Sequence, residues 1–216
     1  KPGINNPFKL VDSVSIGALV ANEYNIKPHI PADYLLLAVP DINLYPSTLP
    51  TYYMSSTRWF EADAVTLTKD TNVNITANTI IPQAGTGTIK GHIKKGVGVG
   101  KVQGIGDPFN GVDVSLIDKS TGSAVAVTVS EIDTIAGDSG VFVFNNVSDG
   151  SYIIHADVAG IPIDTNTVYD INGSNQSVTD ILVTVDSNYI SFDVASGIND
   201  TKIMKNDFNI YPNPFG

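Results

Sequence analysis

Residues 112–118 read Val-Asp-Val-Ser-Leu-Ile-Asp, and this alternation of apolar and polar side chains decides the fold. Successive side chains of a β-strand point to opposite faces, so the pattern predicts a strand with one buried face. The alternation returns in Ala124–Val129, after turn residues at Lys119–Gly122. Two such segments joined by so short a turn are typical of an antiparallel hairpin.

Short apolar segments separated by turn residues continue toward the C-terminus. The segments are Val141–Phe144, Tyr152–Val158, Ile181–Val185 and Tyr189–Val194, and two of the turns are Asp138–Gly140 and Ser148–Gly150. The composition agrees, because 65 of the 216 residues are Val, Ile or Thr, and because Asp, a turn residue, outnumbers Glu by 19 to three. The sequence therefore predicts an all-β protein built as a β-sandwich.

The charge and the residue content exclude several classes of function. The net charge is −10 and Arg58 is the only arginine, so neither nucleic acid nor an anionic membrane is an expected partner. The chain has no cysteine, which excludes disulfides, thiolate catalysis and cysteine-ligated metal. No apolar run reaches the roughly 18 residues of a membrane-spanning helix. No Gly-x-Ser-x-Gly elbow is present, and we expect no enzymatic activity.

A weak internal repeat divides the chain. Tyr34–Ala38 and Tyr152–Ala156 match at an offset of 118 residues. Two copies predict two tandem domains of similar build, each an immunoglobulin-like β-sandwich. We place the first domain in residues 1–84 and the second in residues 85–197. Residues 198–216 are then a linker and the first strand of a further domain.

The repeat is incomplete at its start. The counterpart of Gly85–Gly122 would lie almost wholly before Lys1. We therefore expect the first domain to lack its opening strands. A sandwich without those strands exposes an apolar groove and unpaired edges, which attract another strand.

The second half resembles a known family of domains. The pattern lies in Gly111–Asp118, Thr121-Gly122, Asp138–Phe144 and Val147–Tyr152. It is similar to the Cna-B or carboxypeptidase-regulatory-like domains, over about residues 86–195. The resemblance implies a seven-stranded, prealbumin-like sandwich that serves as a stalk or spacer in secreted surface proteins.

Two further resemblances imply a secreted protein of Bacteroidota. Residues 32–35, 50–53 and 59–62 resemble repeats in large secreted proteins of that group. Residues 206–215 resemble the start of the C-terminal sorting domain of type IX secretion. The core of that motif is formed by Tyr211, Pro212, Asn213 and Pro214. The resemblance implies an extracellular or cell-surface location and a longer parent protein.

Aromatic residues are concentrated in a short part of the first domain, namely Tyr45, Tyr52, Tyr53, Trp59 and Phe60. The rings of Tyr52, Tyr53 and Trp59 could stack on a sugar face, since aromatic rings give contact area at low entropic cost. The resemblance implies instead that Tyr53 and Trp59 pack a long crossover loop. Packing is the favoured interpretation.

Three other features are candidate sites. Asp12-Ser13-Val14 and Asp133-Thr134-Ile135 match the acceptor pattern that Bacteroidota use for O-glycosylation, which makes Ser13 and Thr134 candidate glycan carriers. The acidic loops Asp107–Asp113 and Asp133–Asp138 could hold surface Ca²⁺, although the EF-hand spacing is absent. His155 and Asp157 share one strand face and offer two ligands of the kind that metals bind. We interpret these two residues as side chains on the surface of the sandwich, and we expect no bound cofactor.

The sequence thus predicts a non-catalytic, secreted structural and adhesive stalk module. Two alternatives stay open. In the first, the chain is a subunit of a self-assembling extracellular filament, in which a donor strand containing Ile203, Phe208 and Ile210 completes the first domain of the next copy. In the second, it is a carbohydrate-binding or spacer module of a secreted hydrolase. The expected partners are therefore further copies of the chain or a polysaccharide.

Overall fold

All regular structure in the described part of the chain is β. The computed structural model describes residues 11–15, 24–26, 30–80, 82–99, 105–132 and 139–194. Within these ranges it contains twelve strands and no helix, so the all-β prediction is confirmed. No helix capable of crossing a membrane is found among these residues.

Eight strands form a two-layer sandwich. They are β5 (Gly87–Lys95), β6 (Asp113–Asp118), β7 (Ala124–Val129), β8 (Val141–Val147), β9 (Gly150–Asp157), β10 (Tyr169–Ile171), β11 (Ser177–Val185) and β12 (Ile190–Val194). One sheet, which we call sheet A, has the order β10-β9-β6-β7, and the other, sheet B, has the order β12-β11-β5-β8. Neighbouring strands are antiparallel except for β5 and β11, which run parallel.

The core lies between the two sheets and follows from the alternation of their sequences. On β5 the fully buried side chains are Ile89 and Ile93, and on β6 they are Val114 and Leu116. Ile89 and Ile93 are four residues apart and Val114 and Leu116 are two apart, so each pair lies on one face of its strand. Phe142 and residues of β9, β11 and β12 complete one continuous apolar cluster. The outward side chains of the same strands form the outer faces of the sandwich.

The predicted strands of the second half are confirmed as β6, β7, β8, β9, β11 and β12. The turn between β6 and β7 shows how the local sequence favours a hairpin. The Asp118 carboxylate accepts hydrogen bonds from the backbone of Ser120 and Thr121, and Gly122 follows with a φ of 70°. A carboxylate that bonds the backbone after it, with glycine in the left-handed region, is a strong turn signal.

The described part of the first half contains four short strands. They are β1 (Ala32–Tyr34), β2 (Leu37–Ala38), β3 (Thr51–Tyr52) and β4 (Val65–Leu67). β1 pairs with β4 and β2 pairs with β3, both antiparallel, so each ladder has two strands within the described residues. The division into domains at residues 84 and 85, and the absence of opening strands, stay predictions.

Candidate functional site

The outer face of sheet A carries an unusual set of polar side chains. Alternation places Asp113 and Ser115 of β6 on this face, together with His155 and Asp157 of β9. The register pairs Asp113 with Asp157 and Ser115 with His155. The outer face of an antiparallel sheet is ordinarily solvated. His155, however, is only 3% exposed, so this face is covered.

Residues 49–62 provide that covering, and we call this segment the cover. Its buried members include Leu49, Tyr52 and Ala62, which are not part of the core cluster of the sandwich. The cover touches the outer face of sheet A through Tyr52 and Phe60. The alternating sequence pattern predicts that the outer face of sheet A is exposed to solvent. In the structure this face is instead an interface with the cover.

A tight turn positions Tyr52 in the cover. The Tyr52 backbone N–H donates to the Ser56 carbonyl at 2.7 Å, and the Ser55 N–H donates back to the Tyr52 carbonyl at 3.0 Å. Met54 and Ser55 have φ values of 65° and 62°. Residues other than glycine rarely adopt this left-handed conformation, which costs about 1 kcal/mol or more per residue. The surrounding contacts maintain the turn, among them the 2.7 Å bond from Asn78 Nδ2 to the Ser55 carbonyl.

The Tyr52 side chain joins the cover to the sandwich. Its hydroxyl donates to Asp157 Oδ2 at 2.7 Å, between residues 105 positions apart in the sequence. Tyr52 is 3% exposed and the Asp157 side chain 9%. A hydrogen bond to a buried carboxylate contributes about 1.5–3 kcal/mol. Tyr52, Asp113, His155 and Asp157 form one buried cluster, which we call the Tyr52 junction.

The electrostatics of the junction are dominated by burial and by like charge. Desolvation by burial, followed by the neighbouring charge of Asp157, raises the pKa of Asp113 to about 6. Desolvation, with Asp157 and Asp113 adding to it, also raises the pKa of the Tyr52 phenol far above its usual value of 10. Tyr52 therefore remains a hydrogen-bond donor at every physiological pH.

Two atoms of the junction have no hydrogen-bond partner in the described structure. They are His155 Nε2 and Asp157 Oδ1, both fully buried. The two atoms lie 3.7 Å apart, which is within ion-pair range but too long for a hydrogen bond. Unsatisfied buried polar atoms cost about 1–3 kcal/mol each. The junction thus contains an acceptor without a partner in the described structure, Asp157 Oδ1, and a carboxyl group with a raised pKa, Asp113.

Aromatic and polar contacts continue along the cover beyond the junction. The Phe60 ring meets the His155 ring edge-on, with centroids 6.1 Å apart, and Trp59 packs against Phe60 at 5.8 Å. Arg58 bonds the Glu61 carboxylate at 3.1 Å, and its Nη2 donates to the Gly122 carbonyl at 3.3 Å. The cover therefore extends along the strands, from the Asp113–Asp157 pair to the tip of the β6–β7 hairpin.

The groups of the junction are largely enclosed between the cover and the sandwich. The phenol is held protonated, and Tyr52 and His155 are almost wholly buried. In the described ranges, no three His, Cys, Asp or Glu side chains form a group that could hold a metal ion. The interpretation of His155 as a satisfied surface side chain is wrong, because the cover buries it and leaves Nε2 unpaired.

The aromatic residues predicted to stack on sugar differ in their placement. Tyr52 is buried with its hydroxyl bonded to Asp157, so its ring presents no open face. Tyr53 and Trp59 are half-buried. The Trp59 ring packs edge-on against the Phe60 ring. Sugar binding stays a prediction for Tyr53 and Trp59.

The remaining candidate residues are placed only in part. Ser13 is exposed, and its backbone N–H donates to the Asp12 carboxylate at 2.8 Å. The loop from Asp107 to Asp113 is described, and the surface-calcium prediction for it is not tested. Several candidates lie outside the described residues, namely Thr134, the loop 133–138, the donor-strand residues Ile203, Phe208 and Ile210, and the sorting motif Tyr211, Pro212, Asn213 and Pro214.

Sequence reasoning named Asp113 only as the last residue of a candidate calcium loop and did not predict its place in the Tyr52 junction. The one available signal is the strand pattern, which places Asp113 and Asp157 on outward faces of strands in the same sandwich. Neither their pairing nor the covering segment follows from local alternation. The junction depends on Tyr52, which lies far from both carboxylates in the sequence, and local patterns do not predict such contacts.

Comparisons with known proteins give partial structural likenesses. No protein-family model and no curated protein matches the chain. A similar solved structure is BcpA, the major pilin subunit of Bacillus cereus, at 16% identity and a TM-score of 0.32, covering 53% of this chain and 35% of that chain. A variant of BcpA matches at 20% identity and a TM-score of 0.29, covering 51% and 32%.

The group B streptococcus pilus 2b backbone protein matches at 13% identity and a TM-score of 0.28. That match covers 57% of this chain and 46% of that chain. This chain therefore spans less than half the length of each of the three solved chains.

Proposed function

We propose that this chain is a non-catalytic structural and adhesive module of a secreted cell-surface protein. The observation that carries the proposal is the Tyr52 junction. Its ionisable groups, which could otherwise perform chemistry, are buried between the cover and the sandwich and join the two. The extracellular location is supported by the sequence resemblance at Tyr211–Pro214 and by that of the second half to stalk domains.

The structural role uses the sandwich as a support and the cover as a second layer on it. Burying the outer face of sheet A removes polar and apolar side chains from solvent, including Ile117, which is 5% exposed. Burial of a large apolar side chain stabilises by about 1.5–3 kcal/mol. A module of this kind gains cohesion between its halves without needing a disulfide, which this cysteine-free chain cannot form.

A second candidate function is that of a filament subunit assembled by strand complementation. It is favoured by the distribution of exposed large apolar side chains, since seven of thirteen among the described residues lie between residues 30 and 60. The seven are Ile30, Leu37, Val39, Leu44, Tyr45, Met54 and Phe60. In the described part of this region each ladder has two strands, and a strand from another copy could add to an edge that no described strand occupies.

The particle state distinguishes the two functions. We expect sedimentation and negative-stain electron microscopy of the purified chain to show a monodisperse monomer as its concentration is raised. Fibres that grow with concentration would contradict the stalk module and support the filament subunit. A useful control is Leu44→Ser, a change at an exposed residue of the apolar region, which should prevent fibres and leave a monomer unchanged.

A further inference from the structure

We propose that the Tyr52 junction is a pH-operated latch, in which the cover stays docked on sheet A while Asp113 is protonated and loosens when Asp113 ionises opposite Asp157. This goes beyond the structural role proposed above, since a joint need not respond to pH. The inference starts from a geometric fact. Asp113 and Asp157 are direct partners in the register of two neighbouring strands, and the cover contacts Asp157 through the Tyr52 hydroxyl.

Like charges at opposed positions of a sheet destabilise the pair, and burial strengthens the repulsion. A proton on Asp113 removes this repulsion. Protonation of Asp113 therefore relieves the like-charge conflict of the docked junction.

The groups that face the pair are few. Tyr52 of β3 approaches as a neutral donor, and His155 of β9 approaches Asp157 at 3.7 Å. β7, the other neighbour of β6, has the sequence Ala-Val-Ala-Val-Thr-Val and carries no ionisable side chain. Arg58 of the cover is engaged with Glu61 and the Gly122 carbonyl. Within the described residues, the one ion-pair contact to this carboxyl pair is therefore with His155.

The direction of the pH effect follows from linkage. Burial and the charge of Asp157 raise the pKa of Asp113 to about 6 from 3.8, so the docked form binds the proton more tightly than the open, hydrated form. This contribution to docking is complete below about pH 4 and is lost as the pH rises through about 6. Docking is thus tighter in weak acid and weaker at neutral pH.

A buried thiol gives a direct readout of opening. Ile117 lies on the outer face of β6 and is 5% exposed, and the natural chain has no cysteine, so Ile117→Cys introduces a single probe under the cover. The labelling rate of this thiol, divided by the rate in the urea-unfolded chain at the same pH, reports the fraction open. We expect that ratio to rise about tenfold between pH 5 and pH 8. At pH 5, one unit below the Asp113 pKa of about 6, protonation favours the docked form by about a factor of ten, and at pH 8 this preference is lost.

Two variants in the Ile117→Cys background identify the titrating group. Asp113→Asn keeps the shape and a hydrogen-bond donor but cannot ionise, and it should abolish the pH dependence. Asp70→Asn removes the same charge at an exposed position and should retain the dependence. If the thiol variant does not fold, urea unfolding of the natural chain and of Asp113→Asn over the same pH range gives an independent measure.

Two results would overturn the latch. One is a labelling ratio that does not change with pH in the parent. The other is a pH dependence that persists in Asp113→Asn; if that dependence also vanishes in His155→Gln, the imidazole and not the carboxyl pair is the operating group.

Discussion

Two buried tyrosines illustrate how the same side chain acts differently according to its partners. The hydroxyl of Tyr52 donates to Asp157 and joins the cover to the sandwich. The hydroxyl of Tyr169, on β10, is buried and has no hydrogen-bond partner in the described structure. Desolvation by burial, with the charges of Asp164 and Asp193 adding to it, raises the pKa of Tyr169 above its usual value. Tyr169 therefore contributes its ring to the core and carries an unsatisfied polar atom.

Tyr169→Phe should leave stability unchanged or raise it, by up to about 1 kcal/mol, because it removes a buried hydroxyl that has no partner and keeps the ring. The free energy of unfolding in urea is the measurement. Tyr189→Phe, at a residue that is 44% exposed, is the matched control and should have no effect. A loss of more than about 1 kcal/mol in Tyr169→Phe would show that the hydroxyl has a partner after all.

Strand β5 occupies an inner position in sheet B. It pairs with β11 on one side and β8 on the other, and its Ile89 and Ile93 side chains are fully buried. The close approach of β11 depends on Gly91, where an added Cβ would lie 2.5 Å from the Ile181 carbonyl oxygen. The strand therefore requires apolar side chains at positions 89 and 93 and a glycine at position 91.

Ile93→Ala should lower the free energy of unfolding by about 2–5 kcal/mol, since it deletes buried methyl and methylene groups and leaves a cavity in the core. Chemical denaturation followed by circular dichroism is the check. Ile105→Ala removes the same atoms from a residue that is 54% exposed and should change stability by less than about 0.5 kcal/mol. Equal effects of the two substitutions would contradict the position of the core.

Much of the sandwich could be predicted from the sequence, because its strands alternate apolar and polar residues and its turns contain Asp and Gly. β6 to β9, β11 and β12 all follow from that pattern. β10 was missed because three residues are too few to display a period. The cover was missed for a different reason. Its strand β3 has two residues, and the position of that strand depends on the bond from Tyr52 to Asp157 of β9 and not on local propensity.

The whole molecule combines a conventional sandwich with a second layer laid along one of its faces. The cover follows the outer face of sheet A from the Asp113–Asp157 pair to the hairpin tip at Gly122. A net charge of −10 favours solubility and disfavours anionic partners. The exposed apolar residues of the first half are the exception, and they are where self-association would begin.

The central claim is that the cover docks on sheet A through Tyr52 and Asp157, and a double-mutant cycle tests it most directly. Tyr52→Phe, Asp157→Asn and the double variant are compared by urea unfolding at pH 7. We predict a coupling energy of about 1 kcal/mol or more, because each single change breaks the same buried hydrogen bond. The matched cycle of Asp157→Asn with Tyr45→Phe, at a residue that is 50% exposed, should be additive. Additivity in the Tyr52 cycle as well would contradict the docked cover.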